Sequence, residues 1–234
     1  MMAREVVCYS GRGNQGEGGE GDAMDFTKFG DEATEGAHPS VVTQLSAQAA
    51  IERLRAGNEA YLSTDANDGD TSLATVKRLF EEGQAPFACV VSCADSRVVP
   101  EHIFMTGLGE LFCIRVAGNV VGAMELASCV YAAEHLHVPL VLVLGHTHCG
   151  AIEAAMEAVE GAAPELGHAL TPLVAAIAEA IGAEADPYAA SVANTQAAVR
   201  AIGADPCIAE LVAAGKLAVR GAVYHTHSGR VEFL

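Results

Sequence analysis

The chain predicts an α/β fold: a central, mostly parallel β-sheet flanked by helices, with an antiparallel strand added at the C-terminus and a helical arm at the N-terminus. Three observations carry that expectation. "FACVVSC", "LFCIRVAG" and "PLVLVLGH" are short, nearly continuous apolar runs that lack the alternation of a half-exposed strand, so they suit strands covered on both faces. "LASCVYAAEHL", between the last two, reads as a helix and completes the strand–helix–strand alternation of a wound sheet. The closing "KLAVRGAVYHTHSGRVEFL" holds two alternating segments around Ser228-Gly229, a hairpin signal that reverses the final strand.

Taken in order, residues 1–40 are expected to be a flexible tail, because "SGRGNQGEGGEGDAMDFTKFGDEATEG" is rich in glycine and acid and has few apolar residues to bury. Gly11, Gly13 and Gly16 spell G-x-G-x-x-G after "EVVCY", but "EGGEGD" follows where a dinucleotide fingerprint needs an apolar helix. Met24 offers an alternative start. Residues 41–234 read as one domain without repeat or linker. Leu45, Ile51, Leu54 and Tyr61 place a helix from Val42 to Leu62, which "STDANDGD" ends. Val76, Leu79 and Phe80 mark a second helix that stops at Gly83. Beyond the third apolar run, the Ala-rich stretch 151–160 predicts a helix. Two more are expected over 171–182 and 188–202.

Composition removes several function classes. Of 234 residues 51% are hydrophobic, yet no apolar run approaches the ~20 residues of a membrane span. A formal charge of −17 opposes binding to nucleic acid. The first residues lack the basic and apolar segments of a secretory leader, and their acidity argues against a transit peptide, so a cytoplasmic protein is expected. Seven cysteines, an odd number, then read as free thiols or metal ligands rather than disulfides.

Ligand-binding residues of such a sheet gather beyond the carboxyl ends of its strands. Cys93 ends the first strand and His146 the third; if those strands are neighbours, His146-x-x-Cys149 turns a second thiol onto the same point. Two thiolates and one imidazole are a zinc set of the catalytic kind, with a fourth position left for water or substrate. The H-x-x-C pair alone is more often coincidence, and its spacing leaves His146 and His148 interchangeable. "SCADSRV" strengthens the case, since Cys93, Asp95 and Arg97 alternate along an extended segment and share one side. Asp95 can then ligate the metal or pair with Arg97.

"CADSRV" together with "GHTHCGA" resembles the β-class carbonic anhydrases, whose signatures are C-x-D-x-R and H-x-x-C. The resemblance runs from Gln44 to the C-terminus and takes in "ELFCIRVAGN", "LVLVLGH" and the terminal "GAVY…SGRVEFL". It implies Zn2+ bound by Cys93, His146 and Cys149, with His148 at a variable loop position. The implied activity is reversible hydration of carbon dioxide to bicarbonate and a proton by metal-bound hydroxide. The resemblance also implies that Arg97 pairs with Asp95 and keeps it off the metal. Asp95 then accepts a hydrogen bond from the hydroxide. Without that pair Asp95 becomes the fourth ligand of a closed form. Members with a bicarbonate-controlled switch carry tryptophan just before the first zinc cysteine, where Val90 stands here, and the chain has no tryptophan. Gln84 in "GQAPF", Phe112 in "GELF" and Tyr131 in "CVYA" match the substrate pocket of the plant-like, open-site form. In the family they come from the partner subunit, which implies a homodimer or a dimer of dimers.

Many members have asparagine after the arginine of the second strand, where this chain has Val116. Gly145 and Gly150 flank the H-x-x-C motif and are expected to permit its tight backbone path. His102, His225 and His227 could relay the product proton, but a surface or structural role is the simpler reading of each. Cys89 and Cys113 are expected to be packed within their strands, and Cys129 to lie on a helix. Two rival functions remain: hydrolysis of carbonyl sulfide or carbon disulfide on the same fold, and a noncatalytic zinc-stabilised scaffold. Asp95, Arg97 and Gln84 argue against the scaffold, because a structural zinc needs none of them.

Overall fold

A computed structural model describes residues 45–64, 66–161 and 167–234. The expected tail, its Cys8 and the first residues of the arm lie outside them. The arm is helix α1, Ala47–Ser63, which starts where the Ser46 hydroxyl accepts the Ala49 N–H at 3.2 Å. Helix α2, Leu73–Glu82, is capped in the same way by Ser72 and ends at Gly83, whose φ of 83° few other residues adopt.

Five strands follow: β1 Ala88–Ser92, β2 Leu111–Arg115, β3 Leu140–His146, β4 Ala218–Tyr224 and β5 Val231–Phe233. Their order in the sheet is β2-β1-β3-β4-β5, with β4 and β5 antiparallel and every other pair parallel. The predicted sheet and its reversed last strand are therefore present. Every residue of β1 and β3 is buried, which explains their unbroken apolar character. Val90, Leu142 and Leu144 form one core with Leu54 of α1 and with Ile103 and Phe104. Cys89, Val91, Val141 and Val143 face the opposite way, into a core with Cys129, Ile202 and Ile208.

The helices covering the sheet are α4 Ala123–Glu134, α5 Gly150–Val159, α6 Thr171–Ile181, α7 Pro187–Gly203 and α8 Pro206–Ala213, preceded by the short α3, Pro100–Ile103. Periodicity places α4 to α7 within a few residues. It misses α3, which has four residues and no period to read, and α8, whose start is nonetheless written in Asp205-Pro206. The Asp205 carboxylate accepts the N–H groups of Cys207 and Ile208, and proline occupies the first turn. Cys89 and Cys129 are buried free thiols, and Cys113 is a half-buried one. Among the described residues no helix is long and apolar enough to cross a membrane.

α1 packs against the end of α3 through a close approach. A Cβ on Gly57 would stand 2.0 Å from the Phe104 carbonyl oxygen, and backbone cannot swing aside as a flexible side chain could. Gly57→Ala is expected to cost about 1–3 kcal/mol. Urea unfolding followed by circular dichroism checks this, and an unchanged midpoint would contradict the packing described.

The connection leaving β1 leads to β2 on one side, and that leaving β3 leads toward β4 on the other. The crevice at the carboxyl ends of β1 and β3 is thus the switch point of the sheet, where open α/β folds bind their ligands.

Candidate metal centre

Cys93 follows β1 directly, His146 is the last residue of β3, and Cys149 caps the N-terminus of α5. All three are buried, and one ligand atom from each lies within 4.8 Å of the others. The two sulfurs are 4.0 Å apart. Two thiolates held ~2.3 Å from one tetrahedral ion would stand ~3.8 Å apart, so the spacing fits a shared metal. His146 Nδ1 pairs with the Thr147 carbonyl oxygen at 3.0 Å, whereas Nε2 is buried with no hydrogen-bond partner. A buried, unpartnered ring nitrogen beside two sulfurs is what an ion between them would satisfy.

The sulfurs differ in their support. Cys93 Sγ accepts the N–H groups of Gly118 at 3.3 Å and Asp95 at 3.4 Å. Its thiol is pulled down to about 4 by the Cys149 thiol first, and further by His146 and those two N–H groups, against the cost of burial. The Cys149 thiol is pushed up, chiefly by Cys93. Each thiolate thus makes the other harder to form, a cost that a dication between them would offset.

Asp95 stands beside this cluster with its carboxylate turned to Arg97. The guanidinium donates from Nε to Oδ1 at 3.0 Å and from Nη2 to Oδ2 at 2.8 Å, and the Arg97 backbone N–H adds a bond at 2.9 Å. That bidentate pair holds the carboxyl well below the usual carboxylate range. Arg97 Nη2 also donates to the His148 carbonyl oxygen at 3.0 Å, tying the C-x-D-x-R segment to the H-x-x-C turn.

The turn itself differs from expectation. Its left-handed residue is His148, with φ 56°, and neither Gly145 nor Gly150 has a positive φ. Gly145 is required for a different reason: a Cβ there would meet Thr195 Oγ1 at 2.1 Å, where α7 crosses the end of β3. Gly150 has nothing within 4 Å of a Cβ position. Histidine tolerates the left-handed region better than most residues with a side chain.

Several supporting residues escaped the sequence reading. Arg115 donates to the carbonyl oxygens of Asp95 at 2.8 Å and Cys93 at 3.3 Å, fixing the backbone between them. Asn194 on α7 donates to the Gly118 carbonyl oxygen at 2.8 Å, and Ser191 donates to that of His146 at 3.2 Å. Only the "VAGN" run near Arg115 carried any signal. Helix residues such as Asn194 and Ser191, with partners about fifty or more positions away, leave no local pattern.

The remaining site candidates lie elsewhere in the single chain. Phe112 pairs in register with Cys89, four positions before Cys93 on the neighbouring strand, which puts it roughly 13 Å toward the other end of the sheet. Gln84 precedes β1 and so belongs to that same end. Tyr131 on α4 lies 6.0 Å from Phe112, ring centre to ring centre, and is 46% exposed. His102 and His227 line a cavity of about 420 Å3 with Tyr61, Tyr224 and Thr226, which contains none of the three metal-binding candidates. His225 pairs with Glu232 at 3.2 Å and stacks on Tyr188.

Residues 88–231 match the carbonic anhydrase family model. This chain belongs to the β-class carbonic anhydrases. It is 34% identical over 190 residues to carbonic anhydrase 2 of Mycobacterium tuberculosis, covering 78% of this chain and 90% of that protein. Among solved structures, the Coccomyxa β-carbonic anhydrase in complex with acetazolamide superposes with a TM-score of 0.59 at 26% identity, over 79% of this chain and 81% of that one. A tetrameric β-carbonic anhydrase from Sordaria macrospora shares the fold, with a TM-score of 0.59 at 23% identity over 79% and 96% of the two chains. The family match spans both strands that carry the ligand candidates, and β4 beside them.

Proposed function

We propose that the protein catalyses the reversible hydration of carbon dioxide to bicarbonate and a proton at a zinc ion held by Cys93, His146 and Cys149. The observation that carries this reading is the buried, unpartnered His146 Nε2 facing two thiols 4.0 Å apart, with Asp95 drawn aside by Arg97. When bound, zinc supplies a water acidic enough to serve as nucleophile near neutral pH.

The chain's own residues do the rest. Cys93 and Cys149 compensate the charge of the dication, and His146 offers Nε2 because its Nδ1–H is committed to the Thr147 carbonyl. Asp95, whose carboxyl Arg97 holds well below the usual carboxylate range, would accept a hydrogen bond from the nucleophile that a bound zinc supplies and so orient it toward the substrate. Arg97 binds both carboxylate oxygens, which would keep Asp95 from ligating a bound zinc and leave the site open at neutral to alkaline pH.

The substrate pocket is completed by a second copy. Gln84, Phe112 and Tyr131 of one subunit serve the metal of the other, with Gln84 donating to a substrate or product oxygen and the two rings walling off water. Two features support this: their distance from the metal cluster within one chain, and the bare apolar face of α2, where Val76 is 46% and Phe80 81% exposed. The unit is a homodimer or a dimer of dimers, the tetramer being the state named for the Sordaria relatives. Free thiols that must stay reduced to bind metal suit a cytoplasmic enzyme.

Stopped-flow measurement of carbon dioxide hydration tests the reading. Zinc-replete protein is expected to turn over with a rate that rises from pH 7 to above pH 8, and chelator-stripped protein to fall to background. Zinc-replete protein inactive above pH 8 would remove the proposal. Activity on carbonyl sulfide alone would replace carbon dioxide with that substrate.

A further inference from the structure

We infer that Thr226, on the turn after β4, is a positioning residue for the metal ligand His146, acting through Thr147; this rests on the metal reading above. The parallel ladder between β3 and β4 ends at the rung His146–Tyr224, with one further backbone bond, Thr147 N–H to the Tyr224 carbonyl oxygen at 3.0 Å. Past that point the strands are joined by threonine side chains. The Thr226 N–H donates to Thr147 Oγ1 at 3.1 Å, the two hydroxyls stand 3.1 Å apart, and Thr226 Oγ1 donates to the Thr147 carbonyl oxygen at 3.3 Å. One arrangement satisfies both hydroxyl protons: Thr147 O–H donates to Thr226 Oγ1, and Thr226 O–H donates to the Thr147 carbonyl.

That carbonyl is the acceptor for His146 Nδ1, at 3.0 Å. Thr226 therefore holds the atom that decides where the imidazole proton sits and which way Nε2 points. A carbonyl free to rotate would let the ring tilt or exchange tautomers, and the lone pair would leave the point between the sulfurs. Together with the Thr147 N–H bond to Tyr224, the clamp ties the residue after His146 to the β4 side of the sheet, two residues before Cys149 caps α5. Valine at 226 keeps the shape and the backbone N–H and deletes only the hydroxyl. Serine keeps the hydroxyl and loses the methyl group.

The test is zinc affinity of the full chain, read by equilibrium competition with a chromophoric chelator. Wild type, Thr226→Val and Thr226→Ser are compared, and the absorption spectrum of each cobalt-substituted protein reports the ligand geometry. Loss of a partner that orients a metal-bound histidine typically weakens binding 10- to 100-fold. Thr226 acts one bond further out, so Thr226→Val is expected to weaken zinc about tenfold and to shift the cobalt bands. Thr226→Ser is expected to stay within about twofold of wild type. Valine binding as tightly as wild type overturns the inference. So does serine failing as badly as valine, because that pattern belongs to the methyl group's packing. Thermal melting of the metal-free proteins separates a folding defect: a valine variant whose weaker binding tracks a lost fold also overturns it. A wild type that binds zinc but hydrates no carbon dioxide defeats the proposed function and leaves the clamp standing. A wild type that takes up no zinc defeats both.

Discussion

Replacing His146 with alanine is expected to empty the centre of zinc and to reduce carbon dioxide hydration by about a thousandfold or more. The Lewis-acid contribution of a metal is worth several kcal/mol of transition-state stabilisation, and each 1.36 kcal/mol is about a factor of ten. His146 is fully buried and closes β3, and its Nε2 has no other use in the fold. His148 gives a sharp internal control. It lies two residues on, outside the cluster of three, and contributes its backbone carbonyl to Arg97. His148→Asn keeps a residue tolerant of the left-handed region and should retain zinc. Metal analysis by mass spectrometry together with stopped-flow assay checks both variants. Zinc retained in His146→Ala and lost in His148→Asn would reverse the assignment of the two histidines.

Arg97→Ala is expected to lower hydration on the order of a hundredfold, the usual scale for losing one electrostatic partner of an active site, while zinc stays bound. The freed Asp95 carboxylate then competes for the open coordination position. The decisive comparison is the double variant Asp95→Ala with Arg97→Ala. If the carboxylate is the inhibitor, removing it restores part of the activity, and the two losses are not additive. A double variant no better than the single one removes the gating role of Arg97. The same pair makes a pH prediction. The Asp95 carboxyl is held below its ordinary value of about 3.9, so its contribution to stability is present above that value. It is lost as pH falls through the lower folded value. The urea midpoints of wild type and Arg97→Ala are expected to differ at pH 7 and to converge in acid.

Much of this architecture was legible in one dimension. Strands covered on both faces must be apolar throughout, so β1 and β3 announce themselves by their lack of alternation, and the reversal before β5 follows from Ser228-Gly229. The same burial hid the second helix's purpose: Val76 and Phe80 have the spacing of a core face, yet in the single chain they point to solvent. Periodicity reports that a face is apolar and is silent on whether its own chain or a second copy covers it. The glycines of the H-x-x-C turn do not set its backbone path, and sequence cannot tell a glycine kept for its φ from one kept for space. Gly145 is of the second kind, and His148 takes the conformation expected of glycine.

The amino-acid order alone sets the chemistry on offer: two thiols and an imidazole at strand ends, a carboxylate two residues from a guanidinium, and a wound sheet to carry them. Those are properties of residue type and short spacing, which survive without coordinates. Which of those groups meet is settled in the folded chain. The adjacency of β1 and β3 brings Cys93 to His146, Arg115 and Asn194 reach back to fix the backbone around Cys93, and Thr226 crosses from β4 to hold the carbonyl that orients His146. Each of those contacts joins residues more than twenty positions apart, and such closures are set by how strands order themselves in the sheet, a choice no local pattern records.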